Sequence, residues 1–459
     1  LNGGTEEQKQ RYLPKLLSGE WAGTMCLTEA HCGSDVGLLR TKATRNDDGT
    51  YTLQGTKIFI SGGEQDMTDN IIHAILARVD GAPEGTKGIS LFIAPKYWVN
   101  EDGSMGDFNN ISCGAIEKKM GLKASATCVM NYDGARAVLL GEENRGLEIM
   151  FKLMNAARLG TALQGLAMGE VAYQGAMDYA RERLQMRSLT GPKNPDGPAD
   201  PILVHPDVRR MLLTQKAFIE GQRAFIYWLA QQVDLTRHGS EEQQESATQL
   251  LELLTPIAKA FCTETAQEVT YLGMQVFGGH GYIWEHGMER IARDNRISTV
   301  YEGTTGIQSL DLLGRKVMGS GGAVLRNFTK LIHKYCEAHK ENAAMAEFVE
   351  PLAVLNKEWG EVTMAVGEKA MNNADEVGAA SVDYLMYSGY IAFAYIWAQM
   401  AEVAQRQLAD GNDDPLYRGK IKTARFYFQR LLPRTASHKQ AMLAGADALM
   451  DVAEDELAY

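Results

Sequence analysis

Glu302 lies in RISTVYEGTTGIQSLDLLGRK, Arg296 to Lys316, after a β-branched and aromatic run (Ile297, Thr299, Val300, Tyr301) and directly before Gly303 and two threonines. A carboxylate with apolar residues on one side and a glycine turn on the other suits a poised general base, because partial desolvation raises its pKa towards neutrality. The same spacing has a plainer reading, a glutamate just ahead of a helix whose N-cap is the following threonine. Three more segments carry chemistry. In CLTEAHCGSDVG, Cys26 to Gly37, Thr28, Gly33 and Ser34 offer hydroxyls and backbone donors suited to a polar heterocycle or a phosphate, or simply to a polar turn between strands. In KIFISGG, Lys57 to Gly63, an apolar strand ends in Ser61 and two glycines, and the Phe59 ring is of a kind that stacks on a flat ligand. In QVFGGHGY, Gln275 to Tyr282, Gly278, Gly279 and Gly281 interrupt a helical pattern at about 1 kcal/mol each, a use of glycine that fits close backbone approach to a bulky ligand. No strand precedes this loop in a βαβ unit, so it is not a dinucleotide fingerprint, and His280 reads as a structural hydrogen-bonder.

The elements that must position these residues change character along the 459-residue chain. From Glu20 to about Leu140 the texture is β: YTLQGTKIFI, IIHAILARV, GISLFIAP and ATCVMNYDGARAVLL are separated by glycine, aspartate and asparagine turns, the spacing of an all-β sandwich or barrel. From Gly146 apolar residues recur every three to four positions, predicting one or two long buried helices, then a loop in SLTGPKNPDGPADPILVHP, which holds five of the twelve prolines. Helices are expected again over Asp207 to His238, over Glu241 to about Gly278 and from Gly306 onward, giving a bundle of four or so. The glycine run MGSGG, Met318 to Gly322, marks a linker into a further all-helical region. Its segment DYLMYSGYIAFAYIWAQM is apolar over most of its circumference, as a helix is when buried in its own core or against another subunit. The division expected is 1–19, the end of an N-terminal helical domain; 20–142, a β-barrel middle domain; 143–317, a four-helix bundle; and 318–459, an added helical domain.

Composition excludes several functions. The net charge of −12 argues against nucleic acid, whose phosphates require a basic stripe. No apolar run reaches the roughly 18 to 20 residues of a membrane span. The six cysteines show no CxxC pair and no cysteine–histidine cluster at metal spacing, so no metal site is expected and free buried thiols in a reducing cytoplasm are. The opening LNGGTEEQKQRYLPKLLSGEWAG, from Leu1, reads as the tail of a helical hairpin, from which a missing N-terminal part is inferred.

In their order, five motifs resemble the acyl-CoA dehydrogenase flavoproteins: LTExxxGSD over Leu27 to Asp35, the KxFIS strand end, YAxER over Tyr179 to Arg183, QxFGGxGY, and RDxRIxxxYEGT over Arg293 to Thr304. The likeness covers Leu1 to about Lys316. It implies FAD as cofactor, with Leu27, Thr28, Gly33 and Ser34 beside the flavin and the polar part of the ligand, and Phe59 and Ser61 against the isoalloxazine. It implies Arg183 and Gln185 on the FAD pyrophosphate across a homodimer interface, and Gln275, Gly278 and Gly279 at the nucleotide end. Asn155 and Arg158 are placed near the CoA portion, Gly303 and Thr304 border thioester and flavin, and Glu302 is the base. The reaction implied is α,β-dehydrogenation of an acyl-CoA to the trans-2-enoyl-CoA, electrons passing to an electron-transfer flavoprotein in the bacterial cytoplasm. Phe59 stands where many members carry Trp, Ser61 where many carry Thr, and Gly306 replaces a side chain. The helical extension is similar to that of larger bacterial members, including those resembling 3-methylthiopropanoyl-CoA dehydrogenase, so the substrate expected is that thioester or a fatty acyl-CoA. A non-catalytic or truncated CoA-ester-binding member of the same architecture is the alternative.

Overall fold

Local signals start and stop the elements where they are expected. The first helix, α1 (Glu6–Ser18), opens on a capping box in which Thr5 and Gln8 each bond the other's backbone N–H, and it ends at Gly19 in the left-handed conformation. The computed structural model describes residues 3–458. Leu1, the first residue of the expected helical hairpin, lies outside the described residues. Among the described residues nine strands follow: β1 (Trp21–Cys26), β2 (Lys42–Arg45), β3 (Tyr51–Ser61), β4 (Asn70–Val79), β5 (Ile89–Pro95), β6 (Tyr97–Val99), β7 (Met105–Phe108), β8 (Ile111–Ile116) and β9 (Thr127–Leu139). Alternation along β9 sends Cys128, Met130 and Tyr132 inward to meet Tyr51, Leu53, Ile75 and Phe92.

The sheet runs β1-β4-β2-β3-β9-β5, with β8 beside β9 and a further pairing of β4 with β5; β6 and β7 form a separate hairpin. It thus coils back on itself, yet it is not the closed barrel expected. Two joins rest on a pair of residues each, Lys42 and Ala43 against Arg78 and Val79, and Phe92 and Ile93 against Leu139 and Val138. Among the described residues, β1 and β8 each pair along one side only. Alternating patterns specify two-faced strands but not how many residues seal the last seam.

The chain divides into compact units Leu1–Ala156 and Ala157–Tyr459, the boundary falling inside α2 (Gly146–Glu182). The second unit continues through α3 (Pro206–His238), α4 (Glu241–Val276), α5 (Met288–Asn295) and α6 (Thr305–Leu310), after which Asp311–Met318 is wound as a π-helix. Then come α7 (Ala323–His339), α8 (Ala346–Ala370), α9 (Asp375–Ala409), α10 (Pro415–Phe426), α11 (Thr435–Ala444), α12 (Asp447–Met450) and α13 (Glu454–Leu457). The glycine run is a tight turn and not a spacer: the Gly321 N–H bonds the Met318 carbonyl and the Gly322 N–H that of Val317. Residues on either side, Leu313 and Val317 before and Leu325 and Phe328 after, lie in one apolar core that runs from Ala162 to Met442.

The strongly apolar helix is α9, which packs on α8, α10 and α11 and also reaches α3 and α4. A Cβ on Gly389 would sit 2.2 Å from the Phe261 ring, so only glycine lets the two helices come this close. Phe393 stacks edge-on to Phe261 at 4.8 Å, and the Trp397 indole N–H bonds the Ala217 carbonyl. Among the described residues no helix is long and apolar enough to cross a membrane.

Candidate active site

In the sheet unit, the turn after β1 is fastened to β3. The Ile58 N–H bonds the Thr28 carbonyl, and beneath it Lys57, fully buried, places its ammonium on Glu29 Oε1 at 2.8 Å and on the Leu27 carbonyl at 3.0 Å. Glu29 also accepts from the Thr41 N–H and hydroxyl and the Arg40 N–H. Burial opposes its charge, but Lys57 and these donors hold the carboxyl down at about 2. Glu29, His31 and Cys32 lie together, yet Glu29 is spent on Lys57 and the backbone and is no free metal ligand. Over this clamp β3 is bulged against β9 between Lys57 and Ile60, and Phe59 takes φ +59° with 60% of its surface exposed. A bulky residue held at positive φ costs about 1–2 kcal/mol, which points to a use for the exposed ring. Thr28 and Leu27 are half-buried; Gly33, Ser34, Ser61 and, on α2, Asn155 are exposed.

In the helical unit, α4 presents Lys259, Glu264 and Gln267 to the segment 295–305. Gln267 bonds the Asn295 carbonyl at 2.9 Å, and the Thr305 hydroxyl donates to Glu264. Between them Glu302 takes φ +56° and Gly303 φ +82°. Both carbonyls of this turn are held by buried side chains: Gln308 Nε2 donates to that of Glu302 at 2.9 Å and Lys259 Nζ to that of Gly303 at 2.7 Å. A side chain at position 303 would place its Cβ 2.5 Å from Gln308 Nε2, so glycine is required there. Thr304 caps α6 by accepting from the Ile307 N–H, so the plain reading of this stretch holds as well: one threonine starts the helix and the preceding acid is left on the strained turn. Burial pushes the Glu302 carboxyl above its ordinary value, against the pull of Lys259 and Arg158. Burial brings Lys259 down to about 8, although Glu302 and Glu264 favour its charge. Arg158 is buried on α2 with its guanidinium on Asp311 at 2.9 Å.

The remaining residues lie around the end of α4. Tyr179 stacks on Phe277 at 4.2 Å and its hydroxyl meets His280 Nδ1 at 2.7 Å, which joins the YAxER and QxFGGxGY motifs and gives His280 its structural role. Arg183, Gln185, Gln275, Gly278 and Gly279 are exposed, with open space where a Cβ at either glycine would stand. The Gln185 backbone is pinned by the Asp200 carbonyl and by His205. Asp200, fully buried, organises the proline-rich loop: its carboxylate accepts the N–H groups of Ser188, Lys193 and Asn194.

Sequence reasoning passed over Lys259, Gln308, Glu29 and Asp200. Lys259 had a signal, a lone cation within LTPIAKAFC. In the sheet unit an exposed aromatic ring beside hydroxyls is of a kind that meets a flat polar ligand, and in the helical unit the raised carboxylate of Glu302 is of a kind that accepts a proton.

Three family models match the chain: "Acyl-CoA dehydrogenase, middle domain" over residues 24–135, "Acyl-CoA dehydrogenase, C-terminal domain" over 144–318 and "Acetyl-CoA dehydrogenase C-terminal like" over 328–453. The chain is 42% identical over 448 residues to a 3-methylmercaptopropionyl-CoA dehydrogenase of Ruegeria pomeroyi, covering 97% of itself and 76% of that protein. Butyryl-CoA dehydrogenase of Megasphaera elsdenii superimposes with a TM-score of 0.56 at 31% identity, over 71% of this chain and 73% of that one. An acyl-CoA dehydrogenase of Bacillus anthracis, crystallised with FAD, shares the fold with a TM-score of 0.75 at 23% identity, over 96% and 72%.

Proposed function

The chain belongs to the acyl-CoA dehydrogenase family, an oxidoreductase family, and from that premise we propose that it uses FAD to convert an acyl-CoA thioester to the trans-2-enoyl-CoA. The observation that carries this reading is Glu302, a desolvated carboxylate with a raised pKa on a turn held from both carbonyls. Glu302 accepts the α-proton of the thioester. Its elevated basicity suits that task better than an ordinary carboxylate, and burial keeps water from competing for the proton. Its backbone N–H is aimed at the thioester oxygen, where negative charge gathers as the proton leaves.

FAD, when bound, supplies the acceptor for the β-hydrogen, which departs as hydride. Leu27, Thr28, Gly33 and Ser34 border the flavin and the polar part of the substrate, and Phe59 and Ser61 lie against the isoalloxazine. Arg183 and Gln185 hold the pyrophosphate across a homodimer interface, with Gln275, Gly278 and Gly279 at the nucleotide end. Gly303 and Thr304 border the reacting atoms, and Asn155 and Arg158 stand near the CoA portion, Arg158 with its charge already matched by Asp311. Electrons pass to an electron-transfer flavoprotein in the cytoplasm. The division proposed is a leading helical segment over 1–19, the middle domain over 20–142, the four-helix bundle with the proposed base over 143–317 and an added helical domain over 318–459. The substrate is a fatty acyl-CoA or 3-methylthiopropanoyl-CoA, the latter favoured by the Ruegeria relative.

The test is anaerobic addition of acyl-CoAs, from propanoyl and 3-methylthiopropanoyl to palmitoyl, to the full chain loaded with FAD. Bleaching of the flavin band by one class supports the reading. No bleaching with any of them, or undiminished turnover in Glu302→Gln, overturns it.

A further inference from the structure

A lysine buried without a carboxylate in contact is expensive, since an isolated ammonium loses its hydration and gains no ion pair. Lys259 is such a lysine. It is fully buried in a stretch of α4 whose neighbours Pro256, Ile257, Ala258, Ala260, Phe261 and Cys262 are buried too. Among the described residues no carboxylate oxygen lies within ion-pair distance of it. Its one hydrogen bond there goes to the Gly303 carbonyl, the peptide next to the proposed base. The charged groups facing it are Glu302 on the turn, Glu264 on its own helix and Arg158 on α2.

Two features of the turn demand an outside hold. Glu302 and Gly303 are consecutive left-handed residues, and the first has a side chain, which costs about 1–2 kcal/mol. Their carbonyls are part-buried, and each is met by a side-chain donor. Gln308, a residue of the helix that the turn starts, supplies one of these donors, while Lys259 supplies the other from a different element. Of these two donors the second comes from another element, and it holds the Gly303 peptide itself, while on either side Tyr301 meets Gln164 of α2 and Thr305 meets Glu264 of α4.

We propose that Lys259 is a positioning residue for Glu302: its ammonium fixes the Glu302–Gly303 turn to α4 and supplies a positive charge that the buried carboxylate faces without touching. This rests on the reading of Glu302 as proton acceptor. A direct ion pair would neutralise the base, and no cation at all would leave it protonated in its apolar surroundings; a lysine bound to the adjacent peptide avoids both. The direction of the Glu302 shift fits: burial has raised it, with Lys259 the larger of two opposing charges.

Lys259→Met removes donor and charge at nearly constant length, and Lys259→Gln keeps a donor without the charge. In full chain loaded with FAD, Lys259→Met is expected to lower kcat about 100-fold, as small displacements of a reacting group do, with KM changed less than about 3-fold. The acid limb of kcat against pH is expected to move up by about one unit, because an opposite charge has been taken from the carboxylate. Lys259→Gln recovers part of the rate but keeps the displaced limb, which a merely structural lysine would not produce. A kcat within about 3-fold of wild type with an unmoved limb overturns the proposal, as does a loss confined to FAD content and thermal midpoint. Should Lys259→Met fail to fold, Lys259→Gln carries the test through its pH limb alone. A wild-type chain that bleaches with no acyl-CoA would instead remove the reading of Glu302, before any variant is made.

Discussion

Among the described residues two lysines are fully buried, one in each unit, and each lies under a turn that forces a side chain to positive φ. In the sheet unit Lys57 underlies Phe59; in the helical unit Lys259 underlies the Glu302 turn. The difference is one peptide group. Lys57 touches its glutamate at 2.8 Å, and Glu29 is held at about 2, a permanently charged anchor with no proton to exchange. Lys259 touches the carbonyl beside its glutamate, and Glu302 is raised. The same pair of residue types therefore makes a charged clamp or, as proposed for Glu302, a carboxylate raised towards exchanging its proton, according to where the ammonium is delivered. Burial alone does not decide it.

The largest expected break in this symmetry is in turnover. Glu302→Gln removes the proposed proton acceptor and is expected to lower kcat by about 10³-fold or more, with FAD content and urea midpoint close to wild type. Lys57→Met is the opposite case: it strands Glu29 as a buried anion and is expected to cost about 3–5 kcal/mol of stability in urea titration, and adding Glu29→Gln should return much of it.

The pH dependence of stability separates the two pairs more finely. Glu29 has a folded pKa near 2 against 4.5, so its contribution is complete above pH 4.5 and is lost as the pH falls towards 2. Lys259 has a folded pKa near 8 against 10.5, so the unfolded chain binds the proton more tightly and stability rises with pH between those values. Urea midpoints against pH should show both slopes, and Lys259→Met should lose only the alkaline one. The smallest effect belongs to Phe59→Gly. Relief of the positive φ is offset by backbone entropy, leaving stability within about 1 kcal/mol, while FAD retention on dialysis falls.

How much of this was legible depended on whether a feature is written in residue types. The long helices were, because their apolar residues recur at helical spacing from Gly146 to Val276; so was the β texture of the first unit. Gly303 was, because a left-handed turn calls for glycine, and Glu302 was, as an acid set between an apolar run and that glycine. Asp200 was not: its partners are backbone N–H groups, which no residue type records, and the loop around it read only as proline-rich. Closure of the sheet was not, since it turns on two-residue joins. The run Met318 to Gly322 misled, because glycines that permit a tight turn and glycines that make a flexible linker are the same letters.

The packing of α9 against α3 and α4 also sets an order of events during synthesis. Phe261 meets Phe393 and Gly389, which emerge from the ribosome about 130 residues later, on the order of ten seconds at usual elongation rates. Throughout that interval the newly made α3 and α4 lack this aromatic cover, and the helix that supplies it is itself strongly apolar. A chain ending before Asp375 would therefore lack the cover that Gly389 and Phe393 give to Phe261.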